Sequence, residues 1–193
     1  MKKRYHHGDL KRALILEAME LIEEDGALSL RELGRRLGVS PGAPYRHFKS
    51  RAALMDAVAE EARRLHQELV LEISAGLKPG LSLFRAQALA SARMATTRPR
   101  LFEQMSLYKI DPEQARVGQA HLEELLAQAQ ESGVLTPGPV EHKLLAALAL
   151  SHGLTRLKID GQLDLWGITT DLEQLMMEVT DVLGQGLLLE RDE

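Results

Sequence analysis

The stretch LSLRELGRRLGVSPGAPYRHF, residues 28–48, decides the fold of this chain of 193 residues. Ser29 and Glu32 stand three residues apart, directly before the helically spaced Leu33 and Leu37. A hydroxyl at the cap and a glutamate three residues later both satisfy backbone donors that the first turn of a helix leaves unpaired. The pattern therefore predicts a capped helix.

Gly38 follows that helix and predicts its end, since glycine readily adopts the left-handed turn that closes many helices. Ser40 and Pro41 then predict a second helix, with Ser40 as its cap and Pro41 at the first helical position. Because Pro44 removes one more backbone donor, this helix must be short. Two short helices around a glycine turn predict a helix-turn-helix, whose second helix enters the major groove of DNA. The pattern alone is weakly specific, because any helical protein can show it.

The rest of the chain predicts further helices and no strand. Apolar residues recur at helical spacing from Leu10 onward, with Asp9 as the expected N-cap, and the Pro-rich residues 136–139 form a linker. We therefore expect an all-α protein of about nine helices. A three-helix head over residues 1–51 is expected to precede a larger helical body over residues 52–193.

Charge is divided unevenly between these two segments. The formal net charge is −4, but residues 1–51 hold 11 Lys or Arg against 7 Asp or Glu, and residues 52–193 hold 13 against 21. Attraction to phosphate is local, because salt screens charges beyond about 10 Å at about 0.1 M. A basic head on an acidic body is therefore compatible with DNA binding. Solvated helix faces also explain runs of charge.

Composition excludes several classes of function. The chain has no cysteine, which removes disulfides, thiolate zinc sites, iron–sulfur clusters and a cysteine nucleophile. The longest uncharged stretch rich in apolar residues, Leu144–Thr155, holds 12 residues against the ~20 needed to cross a bilayer. We find no nucleophile elbow, phosphate loop or paired-histidine metal motif. We expect a cytoplasmic protein that is not an enzyme, contacts no membrane and uses no cofactor or metal.

The amino-acid identities at particular positions strengthen the helix-turn-helix interpretation. The segment YHHGDL at residues 5–10, the stretch 28–48 and the apolar positions within residues 53–58 resemble the DNA-binding head of the tetracycline-repressor (TetR/AcrR) transcriptional regulators. The resemblance covers about residues 5–60 without gaps. It implies a DNA-binding helix-turn-helix domain over residues 1–51 and an effector-binding and dimerisation domain over residues 52–193. Further along, residues 151–154 resemble the Trp-His-Gly type of C-terminal domain found in part of the family, with Ser151 in place of the tryptophan.

The resemblance also assigns roles within the head. Tyr45 and His47 match the family's Tyr-x-His-Phe motif, whose tyrosine and histidine contact the DNA backbone. A phenol and an imidazole both donate hydrogen bonds to phosphate oxygens. Arg46 lies between them and is expected to reach a guanine edge or a phosphate. The predicted DNA contacts are Lys3, Arg4, Ser29, Arg31, Pro41, Gly42, Ala43, Tyr45, Arg46, His47, Lys49 and Arg51.

Alternatives remain open for some of these residues. Tyr45 can belong to the core, as Phe48 is expected to do. Arg35 and Arg36 are better explained as solvated or paired with Glu32 than as DNA contacts.

The resemblance implies an effector cavity for small lipophilic compounds in the body. The candidate lining residues are Phe84, Met94, Phe102, Met105, Tyr108, Leu122, Leu126, Leu148 and His152. Such a pocket is expected to be aliphatic and methionine-lined, which suits flexible apolar ligands. For each residue alone an ordinary core position is the alternative, and His152 can simply hydrogen-bond a carbonyl.

The last two long helices carry more apolar residues than one packed face requires, and in the family they form a four-helix interface between two subunits. A purely intramolecular core is the alternative. The candidate interface residues are Leu150, Leu154, Leu157, Leu172, Leu175, Met176, Val179, Leu183 and Gly186.

Together these patterns predict a dimeric, sequence-specific DNA-binding transcriptional regulator. We expect a repressor that binds a palindromic double-stranded operator and is released by a small apolar effector. The alternative is a helical DNA-binding regulator that a protein partner controls instead of a small ligand.

Overall fold

The structure, a computed structural model, describes residues 7–24, 28–75, 82–107 and 135–187. Between the last two ranges it also describes residues 116, 120, 123–124, 126–128 and 130–133. Within these ranges the chain is helical or forms turns, with one isolated β-bridge position at Leu135 and no strand. The prediction of an all-α fold is confirmed.

The helices follow one another with short connections. Their bounds are α1 His7–Glu23, α2 Leu30–Arg36, a 3-10 turn at Pro44–Arg46, α3 Arg51–Ala75, α4 Ser82–Thr97, α5 Pro99–Leu107, α6 Val140–Ile159, α7 Gln162–Leu165 and α8 Leu172–Leu187. The described positions between 116 and 131 are helical as well.

Serine caps begin two of the helices. The Ser29 hydroxyl accepts a hydrogen bond of 3.1 Å from the backbone N–H of Glu32, and the Ser50 hydroxyl accepts one of 3.1 Å from that of Ala53. Both bonds satisfy a donor that the first helical turn leaves unpaired. The predicted N-cap role of Asp9 is wrong, because α1 already begins at His7.

The second helix of the predicted motif differs from the expectation. Residues 41–43 form a turn, and Pro44–Arg46 is a 3-10 helix instead of a continuous α-helix from Pro41. Since proline has no N–H, the α-helical ladder cannot pass through Pro44. The Ala43 N–H bonds instead to the Ser40 carbonyl at 2.9 Å, which closes a shorter turn.

A close approach holds this 3-10 turn against α2. Gly34 is buried in α2, and a Cβ at that position would lie 3.1 Å from Cγ of Pro44, which is also buried. Gly38 then turns the chain with φ of +66°, a conformation that glycine adopts at little cost. Two glycines therefore let the turn pack directly on α2.

The chain forms two compact units. The head unit consists of Met1–Leu65 and Arg98–Lys109, and the body unit consists of His66–Thr97 and Ile110–Glu193. The long helix α3 belongs to both, because the division falls between Leu65 and His66. The functional boundary at residue 51 stays a prediction.

Helix α5 belongs to the head unit, where polar contacts hold both of its ends. At its start, the Glu23 carboxylate at the end of α1 accepts a hydrogen bond of 2.6 Å from the Leu101 N–H. Arg98 also pairs with Glu20 of α1 at 2.8 Å. Near its end, the Arg63 guanidinium of α3 donates to the Met105 carbonyl at 3.2 Å. These bonds match the charge preferences of helix termini.

The body unit is organised around α4, which packs against both α6 and α8. Two guanidinium–carboxylate pairs join α4 to α8. Arg93 donates to both oxygens of Glu173 at 2.9 and 2.8 Å, and Arg85 donates twice to one oxygen of Asp181. The pairs are eight residues apart on each helix and run in opposite chain directions, so α4 and α8 are antiparallel in one register.

No helix in the described ranges is both long enough and apolar enough to span a membrane.

Candidate nucleic-acid interface

The 3-10 turn and the residues beside it contain both buried and solvent-exposed side chains. Pro44 and Phe48 are buried in the head unit, which confirms the core position expected for Phe48. Tyr45 is 54% exposed and Arg46 beside it is exposed. Tyr45 is therefore not a core residue, and both side chains are accessible to a macromolecular partner.

The other described candidates share this accessible surface. Most of them are exposed, while Ala43 and His47 are half-buried; the exposed set is Ser29, Arg31, Pro41, Gly42, Tyr45, Arg46, Lys49 and Arg51. Lys3 and Arg4 lie outside the described residues.

A surface concavity lies between α2 and the turn that follows it. Its lining combines polar, basic and small residues: Ser29, Arg31, Glu32, Arg35, Gly38, Val39, Ser40 and Pro41. Three of these are predicted DNA contacts, namely Ser29, Arg31 and Pro41. The concavity therefore joins the start of α2 to the start of the turn in one continuous surface.

Carboxylates of α1 and α2 hold two arginines of α2. Arg36 donates to Glu24 at 2.9 Å, to Glu17 at 3.3 Å and to Glu32 at 3.4 Å. Arg35 donates to both oxygens of Glu32 at 2.9 and 2.6 Å. The hydrogen bond from Arg35 is the main cause that lowers the pKa of Glu32 to about 2. The expected pairing of both arginines with Glu32 is confirmed.

The residues that carry this surface match a known family. The model of bacterial regulatory proteins, tetR family, matches residues 14–58, from α1 into α3. Residues 14–58 belong to the tetR family of bacterial regulatory proteins.

Individual relatives extend the likeness. The tetracycline repressor protein class C of Escherichia coli is 46% identical over 52 residues, which is 26% of this chain and 24% of the repressor's length. The chain thus covers about a quarter of this curated relative. A solved structure of a Rhodococcus sp. RHA1 protein of unknown function has a TM-score of 0.80 at 29% identity, covering 97% of this chain and 100% of that one.

A second solved structure shares the fold. NalD, the secondary repressor of the MexAB-OprM multidrug efflux pump in Pseudomonas aeruginosa, has a TM-score of 0.63 at 23% identity, with 96% of this chain and 99% of NalD covered. The fold of this chain is therefore shared along nearly its whole length.

The candidate effector residues are divided between the two units. Leu126 and Leu148 come together in one apolar cluster of the body unit, together with Leu135 and Leu144. Met94 is buried on α4 of the same unit. Phe102 is buried and Met105 is half-buried, but both lie on α5 of the head unit.

Other effector candidates are placed less simply. His152 is exposed on α6, and its Nδ1 lies 3.0 Å from the Leu148 carbonyl, as the structural alternative expected. Phe84 belongs to α4, but its side chain lies outside the described part of the structure. Tyr108 and Leu122 lie wholly outside the described residues.

The candidate dimer residues require a correction. Met176 has 0% of its surface exposed within the single chain, and Leu172 is also buried. An interface cannot bury a side chain that the chain itself already buries, so these two residues belong to the core of the body unit. Leu150, Leu154, Leu157, Leu175, Val179 and Leu183 are half-buried and keep surface for a partner. Gly186 belongs to α8, but its exposure lies outside the described part of the structure.

Two apolar residues on the same two helices are more exposed than any of these. Leu145 on α6 is 65% exposed and Val182 on α8 is 69% exposed. Sequence reasoning missed both, because helical spacing places a residue on a stripe without showing which stripe the chain covers itself.

A buried polar pair was also missed. His66 of α3 and Ser91 of α4 are both buried, with His66 Nε2 3.1 Å from Ser91 Oγ. Burial, with a smaller effect from the nearby His152, lowers the pKa of His66 to about 4. The imidazole is therefore neutral at pH 7. In the sequence His66 is one of seven scattered histidines, and only the packing of α3 on α4 distinguishes it.

The substitution His66→Gln should flatten the pH dependence of stability on the acid side of neutrality. The imidazole binds a proton near pH 6.5 in the unfolded chain but only near pH 4 in the folded one. Its contribution is therefore complete above pH 6.5 and is lost as the pH falls toward 4. Urea unfolding at pH 7.5 and pH 5.0 should show a loss of about 2 kcal/mol in the wild type that the variant lacks.

His142→Gln changes an exposed histidine of α6 and is the matched control, expected to keep the wild-type dependence. Equal pH dependence in wild type and His66→Gln would contradict a buried neutral imidazole at position 66.

Proposed function

We propose that this protein is a dimeric, sequence-specific DNA-binding regulator of transcription, acting as a repressor that a small apolar effector releases from a palindromic operator. The observation that carries the proposal is the 3-10 turn. Its buried Pro44 anchors it on α2 while Tyr45 and Arg46 project outward. The 46% identity to a tetracycline repressor over 52 residues supports the same function for the head.

The chemistry of the head suits the backbone and bases of DNA. Tyr45 and His47 supply hydrogen-bond donors for phosphate oxygens, and Arg46 supplies a fork of donors that matches a guanine edge. Lys49 and Arg51 flank the start of α3, where the helix dipole also favours an anion. The turn positions the side chains that read DNA, and the flanking cations add affinity.

Dimerisation is proposed through the outward faces of α6 and α8. Leu145 and Val182 expose apolar surface that the single chain leaves open, and the half-buried leucines beside them extend it. Soluble proteins rarely leave contiguous apolar patches uncovered, and large patches mark interaction sites. Two heads related by a two-fold axis match a palindromic operator.

The effector is proposed to bind in the body unit as an apolar compound with an uncharged polar group. The cluster around Leu126 and Leu148 provides aliphatic surface, and Met94 lies buried on α4. His66 and Ser91 provide a neutral hydrogen-bonding pair. The hydroxyls of Thr155 and Thr180 are also buried without a hydrogen-bond partner in the described structure. Such a lining favours a hydroxyl or carbonyl group on the ligand over a charged one.

Release from DNA is proposed to act through two of the three places where the chain passes between units. Helix α3 continues from one unit into the other, and α4 of the body joins α5 of the head at Arg98. A ligand that prefers one arrangement of α4 shifts DNA affinity by its difference in binding between the two states. The Glu23 bond to Leu101 would carry that shift to α1. We place the protein in the cytoplasm, where operator DNA is accessible.

A protein partner remains the second candidate controller. Leu165 and Trp166 are exposed on the turn between α6 and α8, and two glycines with positive φ, Gly161 and Gly167, bracket that turn. Exposed tryptophan is typical of protein interfaces.

Binding to DNA is tested with the fragment upstream of the gene and a scrambled duplex of equal length. Arg46→Ala should reduce the preference for the upstream fragment by about 1–3 kcal/mol of lost base contact. Lys49→Ala should weaken both duplexes alike, with a salt slope shallower by about 0.9 per head. Wild-type protein that shows no preference at about 150 mM salt would refute the proposal.

The dimer is tested by changing the exposed apolar positions. Leu145→Glu combined with Val182→Glu should give a particle near 21.4 kDa in light scattering, whereas the wild type should give twice that mass. Two charges facing each other across an apolar interface cost more than the contact supplies. Leu71→Glu, at an equally exposed leucine of α3, should leave the dimer intact. A wild-type particle at the monomer mass would refute dimerisation.

The effector is tested by thermal-shift screening of apolar compounds matched in their neutral, acidic or basic head groups. Neutral compounds should raise Tm and release DNA, and Ser91→Ala should weaken them by about 0.5–1.5 kcal/mol per lost hydrogen bond. DNA binding that responds to no compound, but responds to a protein and loses that response in Trp166→Ser, would favour the protein-controlled alternative.

A further inference from the structure

Arg35 and Glu32 lie on the surface proposed to face DNA. Both line the concavity that also contains Ser29, Arg31 and Pro41, three of the predicted DNA contacts. The Arg35 side chain is 73% exposed, so its charge stands at the rim of that concavity. A guanidinium in such a place normally binds a phosphate of any duplex that approaches.

Glu32 occupies that guanidinium. Nε of Arg35 donates to Glu32 Oε2 at 2.9 Å and Nη2 donates to Oε1 at 2.6 Å, which makes the pair bidentate. Bidentate guanidinium–carboxylate pairs are geometrically specific as well as charge-assisted. No other hydrogen bond or ion pair holds the Arg35 side chain in the described structure. The pair carries no net charge toward DNA.

The other arginines of the head also differ in whether a carboxylate holds them. Arg36 is held by Glu17 and Glu24 of α1 in addition to Glu32. The side chains of Arg31 and Arg46, by contrast, make no hydrogen bond or ion pair within the described ranges. Carboxylates therefore neutralise two arginines of α2, while the arginines predicted to contact DNA keep their donors available.

We propose that Glu32 limits the affinity of the head for DNA of every sequence, because it withholds Arg35 from phosphate without removing a base contact. The inference rests on the proposed DNA-binding function. Binding to unrelated DNA is set mainly by the number of phosphates that cations neutralise. Withholding one cation per head therefore weakens binding to unrelated and operator DNA by the same factor and leaves the base contacts to distinguish them.

Glu32→Gln tests the inference with little other change. The Ser29 cap uses the backbone N–H of residue 32, which glutamine retains. Arg36 keeps Glu17 and Glu24 as partners, so α1 and α2 stay joined. Arg35 loses its carboxylate and becomes available to phosphate.

Fluorescence anisotropy with a scrambled duplex and with the upstream fragment, between about 50 and 300 mM KCl, gives the readout. Glu32→Gln should bind the scrambled duplex several-fold more tightly at low salt. Its plot of log K against log salt should be steeper by about 0.9 per head. The ratio of operator to scrambled affinity should stay near the wild-type value, because the added phosphate contact forms on both duplexes.

Three control variants identify the source of the change. Glu32→Asp keeps a carboxylate and should stay near the wild-type slope. Glu32→Gln combined with Arg35→Gln should return to the wild-type slope, because no freed guanidinium remains. Arg35→Gln alone should lose no phosphate contact, since Glu32 holds Arg35 in the wild type. Its slope should therefore fall by well under about 0.9 per head, although the Glu32 carboxylate then lacks its main cation.

The outcomes separate this inference from the proposed function. An unchanged slope in Glu32→Gln overturns the inference, and so does a steeper slope that persists in the double variant, since repulsion by Glu32 itself would then be the cause. A slope shallower by about 0.9 per head in Arg35→Gln, which is the loss of a whole phosphate contact, overturns it without relying on the Glu32 variants to fold. Wild-type protein that binds neither duplex overturns the proposed function instead.

Discussion

The contact between Gly34 and Pro44 is the constraint on which the head depends. A Cβ at position 34 would lie 3.1 Å from Pro44 Cγ, so the absence of a side chain there lets the turn pack closely on α2 without displacing Pro44. Pro44 also ends the α-helical ladder and imposes a 3-10 turn. With Pro44 and Phe48 buried, Tyr45 and Arg46 can only project outward. A turn of three residues thus presents a reading surface without a long helix of its own.

Electrostatics then selects which cations of the head serve binding. The N-terminal 51 residues have only a small positive excess, and several of their acids lie on α1 and α2. Glu17, Glu24 and Glu32 hold Arg35 and Arg36, which joins α1 to α2 and removes two charges from the available set. The net charge of the head therefore does not show where its effective positive charge lies. Salt screens distant charges, so only unpaired cations close to a phosphate attract it strongly.

The body unit combines a fixed packing with an open face. Two ion pairs hold α4 and α8 antiparallel in one register, and the buried stripe of α8 faces inward with Met176. The opposite face of α8 keeps Val182 exposed. Because α4 continues through Arg98 into α5, the helix that positions α8 is also the one that joins the chain to the head unit. The proposed dimer contact and the proposed release from DNA therefore depend on the same helix.

The sequence by itself determined the all-α fold, the Ser29 cap, the Gly38 turn and the core position of Phe48. These depend on backbone groups and side chains within a few residues of each other, so local pattern is sufficient. Only the tertiary structure decided that Met176 is inside while Leu145 is outside, that α5 belongs to the head unit, and that His66 meets Ser91. Helical periodicity places side chains on a stripe, but which neighbour covers that stripe depends on residues far away in the chain.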